Sequence, residues 1–282
     1  MQKQTHWRQK LGAGLLALTL GFAVSSVNAQ NLITDGDAES GNVKSWLRVT
    51  SVSDDAHEGK HSFQVNGFAN VQNKQIIAID PEKTYTLSGW FKSAGEKPSK
   101  IYFGFAPLDD KKRTIYPWQI NAIKGTQTTL VEACTKTDTV LKVADASKWI
   151  AHRNCAAAFD VAADFSDLPN RKISNLGITA VENKGDHWEI TFSKPCKQAK
   201  EAGTAIRLHR TSGTYIYAGA VNKIVPGQCT QYTAKIKGHS IKGTTIKQFW
   251  AGTQYVRILI LANYAMKKEG VLLIDNLQLT AE

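Results

Sequence analysis

Beyond residue 29 this 282-residue chain has no apolar run of membrane-spanning length. It lacks a C-x-x-C pair, a P-loop, a G-x-S-x-G elbow and a dinucleotide-binding glycine fingerprint, which argues against the chemistries those spacings serve. Helical periodicity is scarce, and no Gly, Pro or Gln bias suggests a collagen-like or disordered chain. No helix-turn-helix pattern, RNP-like aromatic strand or Lys/Arg block supports nucleic-acid binding. Negative charge is in the minority, with 24 Asp+Glu against 35 Lys+Arg, and there are only four cysteines.

Residues 1–29 begin with Lys3, Arg8 and Lys10, continue through LGAGLLALTLGFAV and end in small residues before Gln30. A charged start, a short apolar middle and Val27-x-Ala29 read as a secretory signal peptide cleaved after Ala29. The expected location is periplasmic or extracellular. Removing those three cations leaves 32 minus 24, a net charge of +8, which favours anionic partners such as an acidic polysaccharide. Export also bears on Cys134, Cys155, Cys196 and Cys229. In an oxidising compartment they are expected to form two disulfides, and all three connectivities remain open.

Period-two alternation or continuous apolar character marks HSFQVNGF, KTYTLSGWFKS, KIYFGFAP, HWEITFS, TAIRLHR, QYVRILIL and GVLLIDNLQL. Each segment is short and bounded by turn-forming or charged residues, so each reads as a strand. The expected class is all-β, a jelly-roll β-sandwich. The long amphipathic strands fall in residues 30–125 and 213–282. Residues 126–212 hold shorter strands and three of the four cysteines, and read as a β-rich insertion in a loop of the sandwich.

Four stretches carry a family likeness: NLITDGDAESG near the start, AHEGKHSFQVNG, IDPEKTYTLSGWFKSAG, and VLLIDNLQL at the end. Their order resembles the jelly-roll carbohydrate-binding modules of families 4, 9, 16 and 22. Two positions depart from that pattern: Ala38 stands where the family usually has Phe, and Asp275-Asn276 replaces a doubled Asp. The texture of 126–212, with its D-T-V-L-K-V-A-D-A-S-K-W run, resembles short β-modules inserted into some secreted sugar-binding domains.

The resemblance implies a structural calcium ion tying the chain ends together, held by Glu39, a backbone carbonyl or two of the turn from His57 to Lys60, and Asp275. Hard oxygen donors of this kind suit calcium. The same turn spells H-E-x-x-H, but Gly59 and the strand that follows deny it the helix on which a zinc protease needs that motif.

Sugar rings present flat C–H faces that aromatic side chains cover while polar neighbours bind the hydroxyls. Strand alternation points Trp90 outward from its strand, and places Tyr255 and Arg257 opposite the inward Val256, Ile258 and Ile260. Arg257 is suited to pairing with a carboxylate or sulfate. Trp46, Tyr102 and Trp118 join these as candidate ligand-binding residues, with Trp250 and Tyr264 behind them. The expectation is a non-catalytic polysaccharide-binding protein, with no catalytic residues assigned. One alternative is a jelly-roll hydrolase or lyase, the latter drafting Arg257, Tyr255, Tyr264 and His209. Another is a structural module of an extracellular matrix.

Overall fold

The computed structural model describes residues 30–265 and 269–282. The expected signal peptide therefore lies outside the described residues, among which no helix is long and apolar enough to cross a membrane. With 43% of the chain in strands and 3% helical, the all-β class holds.

Two antiparallel sheets form the jelly-roll sandwich. The first runs in the order β1 (Trp46–Leu47), β4 (Ala69–Asn73), β16 (Tyr255–Ala262), β7 (Lys100–Leu108) and β14 (Ile216–Ile224), with β5 (Ile77–Ala78) also on β16. The second runs β15 (Thr230–Lys237), β6 (Thr84–Ser93), β17 (Val271–Ala281), β3 (Ser62–Asn66) and β2 (Ser51–Ser53). Their facing sides supply one core, in which Phe63, Leu87, Phe91, Phe103, Phe105 and Ile258 are almost wholly buried. The alternation read in β6, β7 and β16 is the cause: every second residue points into the shared interior.

Residues 128–210 add two three-stranded sheets. One is β10 (Cys155–Phe159), β13 (Ala205–Arg210) and β8 (Thr128–Thr129); the other is β11 (Ile178–Asn183), β12 (Trp188–Phe192) and β9 (Val140–Val143). They enclose a second apolar cluster that includes Leu141, Phe159, Ile190 and Leu208. Before them, a single helical turn, α1 (Pro117–Ile120), follows β7.

The expected disulfides do not form among the described residues, where all four cysteines are free thiols. Cys134 and Cys196 share a neighbourhood, since both thiols donate to the Gln198 carbonyl, at 3.7 and 3.2 Å. Cys155 packs inside the insertion's core, whereas Cys229 sits in the sandwich beside Trp90 and Lys92. Those two thiols belong to different layers of the protein and do not face one another.

Candidate functional site

The sequence candidates separate onto different surfaces. Trp46 is only 3% exposed; it packs against Phe63 and donates its indole N–H to the Asp35 carbonyl at 2.8 Å. Trp250 is likewise fully buried. Both rings are core residues, which corrects the expectation that they bind ligand.

Trp90 does point outward from β6, but on the five-stranded sheet. The His57 imidazole stacks on its ring with centroids 3.5 Å apart and planes within 17°. One ring face is therefore already covered by the protein, and the hollow beside it measures about 10 Å³. Trp90 is thus separated from Tyr102, Tyr255 and Arg257, which all lie on the six-stranded sheet.

The outer side of that sheet is unusual for a solvated face. Leu259 and Leu261 of β16, Ala106 of β7 and Tyr217 of β14 form a small buried cluster there, with Tyr102 and Tyr215 packed on it. Register explains the assembly: Leu259 lies opposite both Gln72 and Gly104, Leu261 opposite Asn70 and Tyr102, and Arg257 opposite Ala106. Gly104 is required at its position. A Cβ on it would lie 1.9 Å from the Ile216 carbonyl oxygen, because β14 bulges across the outer face here. The bulge and the loop before it carry Tyr215 and Tyr217 over the sheet, and Asn70 Nδ2 donates to the Tyr215 hydroxyl at 3.1 Å. Tyr102 packs against Tyr217 and Tyr264, each at 4.8 Å between centroids, and Phe68 meets the edge of Tyr264 at 6.0 Å.

Two hollows open on this face, and Gln72 lines both. The larger, about 370 Å³, adds Leu47, Arg48, Phe68 and Asn70. The smaller, about 190 Å³, is walled by Lys112, Thr114, Tyr116, Tyr215 and Arg257. No Asp or Glu lines either hollow among the described residues, while Arg48, Lys112 and Arg257 do. The Arg257 Nε is buried with no hydrogen-bond partner among the described residues. The Lys112 ammonium lies 5.5 Å from the Tyr255 ring centroid, so Tyr255 supports that cation at the rim. Burial pushes the Tyr217 phenol above its ordinary range, keeping it a neutral hydroxyl.

The lip of the smaller hollow is α1 and the residue before it. Tyr116 and Trp118 stack face to face at 4.6 Å. The insertion holds this turn from beneath: Asn170 N–H donates to the Gln119 carbonyl, and His209 Nδ1 bonds the Trp118 carbonyl, both at 2.8 Å. Arg207 Nε donates to His209 Nε2 at 3.2 Å, and its guanidinium pairs with Asp167 at 2.8 Å. His209 is therefore the Nδ1–H tautomer, and burial brings its pKa down to about 4. It is wholly enclosed, which corrects its drafting as a lyase base.

At the expected calcium clamp, one oxygen of each carboxylate is engaged by backbone N–H groups of the turn. Asp275 Oδ2 accepts the backbone N–H groups of His57 and Glu58, and Glu39 Oε1 accepts those of Lys60 and His61, at 2.8–3.1 Å. The turn thus offers N–H groups rather than carbonyls to both carboxylates. The His57 ring is stacked on Trp90. Asp37, Glu39, Glu58, Asp275, Asn276 and Gln278 line one hollow of about 410 Å³ at this clamp. The same turn is too irregular for the zinc-protease reading. Gly59 is positioned by this arrangement, with φ of +71° and a space in which a Cβ would lie 2.5 Å from Glu39 Oε1.

Of the expected ligand residues, the structure brings together Tyr102, Tyr255 and Arg257 on one face, with Trp118 at its edge through Tyr116. Sequence reasoning missed Arg48, Phe68, Asn70, Gln72, Lys112, Tyr116 and Tyr215. One signal was readable: in Tyr215-Ile216-Tyr217, an apolar Ile between two tyrosines places both rings opposite the core.

Residues 30–143 match a family model described as carbohydrate binding domain. No curated protein matches the chain in sequence. Among solved structures, the chain is similar to the CBM22-1 xylan-binding domain of Paenibacillus barcinonensis Xyn10C, with 10% identity, 90% of this chain and 95% of that one covered, and a TM-score of 0.38. It is also similar to TmCBM61 in complex with β-1,4-galactotriose, with 10% identity, 90% and 100% covered, and 0.35. A family 16 carbohydrate binding module gives 14% identity, 89% and 99% covered, and 0.34.

Proposed function

We propose that this protein, whose residues 30–143 match the carbohydrate binding domain family, is a non-catalytic binder of polysaccharide, and that the chain lies along the outer face of the six-stranded sheet. The observation that carries this reading is the pair of hollows that share Gln72, with the aromatic edges of Phe68, Tyr116 and Tyr215, the amides of Asn70 and Gln72, and no carboxylate among the described residues. Aromatic surface and amide donors are what a sugar ring needs from a protein. A glycosidase would require two carboxylates across the scissile bond, and neither hollow provides one among the described residues. A lyase would require a base in the groove, and of the residues drafted for one His209 is enclosed beneath it.

In this reading residues 1–29 are a cleaved signal peptide, the mature protein acts outside the cytoplasm, and residues 126–212 are an inserted module that shapes the groove. N-terminal sequencing of the exported protein should begin at Gln30. Affinity electrophoresis against a panel of neutral and acidic polysaccharides, with reducing-sugar and unsaturated-uronate assays, tests the binding. Retardation without product is expected, and Tyr102→Ala should weaken retardation by about tenfold. Turnover of any retarding polysaccharide, or migration indifferent to Tyr102→Ala, would overturn the proposal.

A further inference from the structure

We infer that the bound glycan is anionic, with a carboxylate or sulfate seated in the smaller hollow against Arg257. This deepens, and rests on, the reading of the outer sheet face as a polysaccharide site. Three independent features of that hollow agree.

The first is the unpaired donor. Arg257 stands opposite Ala106 in the register, so its cross-strand neighbour on β7 offers only a methyl group. Its Nε is buried and without a partner among the described residues. Arg171 Nε is likewise unpartnered, yet the guanidinium of half-buried Arg171 pairs with Asp109 and that of buried Arg207 with Asp167, at 2.7 and 2.8 Å. No such carboxylate reaches Arg257. A guanidinium edge of this kind fits two oxygens of one planar anion.

The second is the sign of the walls. Lys112 lines the same hollow and Arg48 lines the other, with no acid in either. Asp109 belongs to the same turn as Lys112, but its side chain is turned away to the Arg113–Arg171 pair. The hollow therefore keeps its positive field rather than cancelling it internally.

The third is size and company. At about 190 Å³ the hollow is smaller than the ~300–1,000 Å³ of sites that enclose a drug-sized ligand. It suits one unit of a longer chain. The Gln72 amide and the Tyr116 and Tyr215 side chains surround it, giving donors and aromatic edges for a pyranose bearing the charge.

The test compares polygalacturonate with its fully methyl-esterified form, which keeps the backbone and removes the charge. Dextran sulfate serves as a polyanion of different shape, and xylan as a neutral chain. The wild type should bind polygalacturonate at least about tenfold more tightly than the ester, and Arg257→Gln should remove that difference. Lys112→Gln should reduce it. Near-UV circular dichroism and melting temperature check that both variants are folded. A sulfate-specific site is the outcome if dextran sulfate, and not polygalacturonate, loses affinity on Arg257→Gln, and this too supports the inference. Equal binding of acid and ester, with dextran sulfate binding also unchanged by Arg257→Gln, would overturn it while leaving the polysaccharide reading in place. Polyanion binding that neither variant changes would show diffuse surface charge and overturn it as well. Binding to none of the four, nor to any wider polysaccharide panel, would instead sink the reading on which it rests.

Discussion

Asp275 offers the sharpest test of how the two ends of the chain are held. Its carboxylate is 3% exposed. One oxygen accepts the His57 and Glu58 N–H groups and the other accepts Asn276 N–H at 2.7 Å. In Asp275→Asn a single carbonyl oxygen remains, so an amide NH₂ must face backbone N–H on one side or the other. Each charge-assisted bond lost costs about 1.5–3 kcal/mol, and the bonds kept are weakened to neutral ones. The expected destabilisation is about 2–4 kcal/mol. For a chain of this length that is a fall in melting temperature of about 5–10 °C. Calorimetry or circular dichroism in chelator and in millimolar calcium would read it. The wild-type melting curve should be the same in both buffers. A saturable rise with calcium, or a variant that melts with the wild type, would refute the account in which backbone N–H groups close this clamp.

Glu39 makes the second half of the clamp and gives a pH signature. Hydrogen bonds from the His61 and Lys60 backbone, in that order of size, hold its carboxyl below the ordinary value. The stability it contributes is present above the unfolded pKa of about 4.5 and is lost as pH falls through the lower folded value. Melting curves of the wild type and Glu39→Gln should therefore diverge at neutral pH and converge in acid; parallel curves down to pH 2 would count against it. For the thiols, Cys155 and Cys196 are fully buried, Cys134 nearly so and Cys229 only half-buried. Iodoacetamide on the native protein, followed by mass spectrometry, should label Cys229 first and the other three only after unfolding.

Much of the fold was legible because one side of each long strand must be apolar. In β6, β7, β16 and β17 the apolar residues mark the interior almost position by position. The consecutive strands β14 and β15 were not named, and the reason is that each is an edge strand of its own sheet. The last four residues of β14 are exposed, and β15 alternates between half-buried and exposed, so little contrast reaches the sequence. The site was less readable still. Trp46, Trp250 and Trp90 look alike in a sequence, yet the first two fill the core and the third is capped by a histidine. Asn70 and Tyr215 are 145 positions apart and meet only because Gly104 lets β14 cross the sheet. The clamp is a related case: the family likeness names Glu39 and Asp275, but which backbone group a turn aims at them is a matter of φ and ψ, and Gly59, at a φ of +71°, shapes that turn.

The placement of the insertion has a consequence for how such a protein could change its preferences. The chain departs toward residue 128 through the helical turn bearing Tyr116 and returns through the loop bearing Tyr215. Both doorposts of the module are thus also two sides of the smaller hollow. On the proposed reading, exchanging residues 128–210, or altering how tightly they grip α1, would reshape the smaller hollow while every residue of the sheet floor stayed the same.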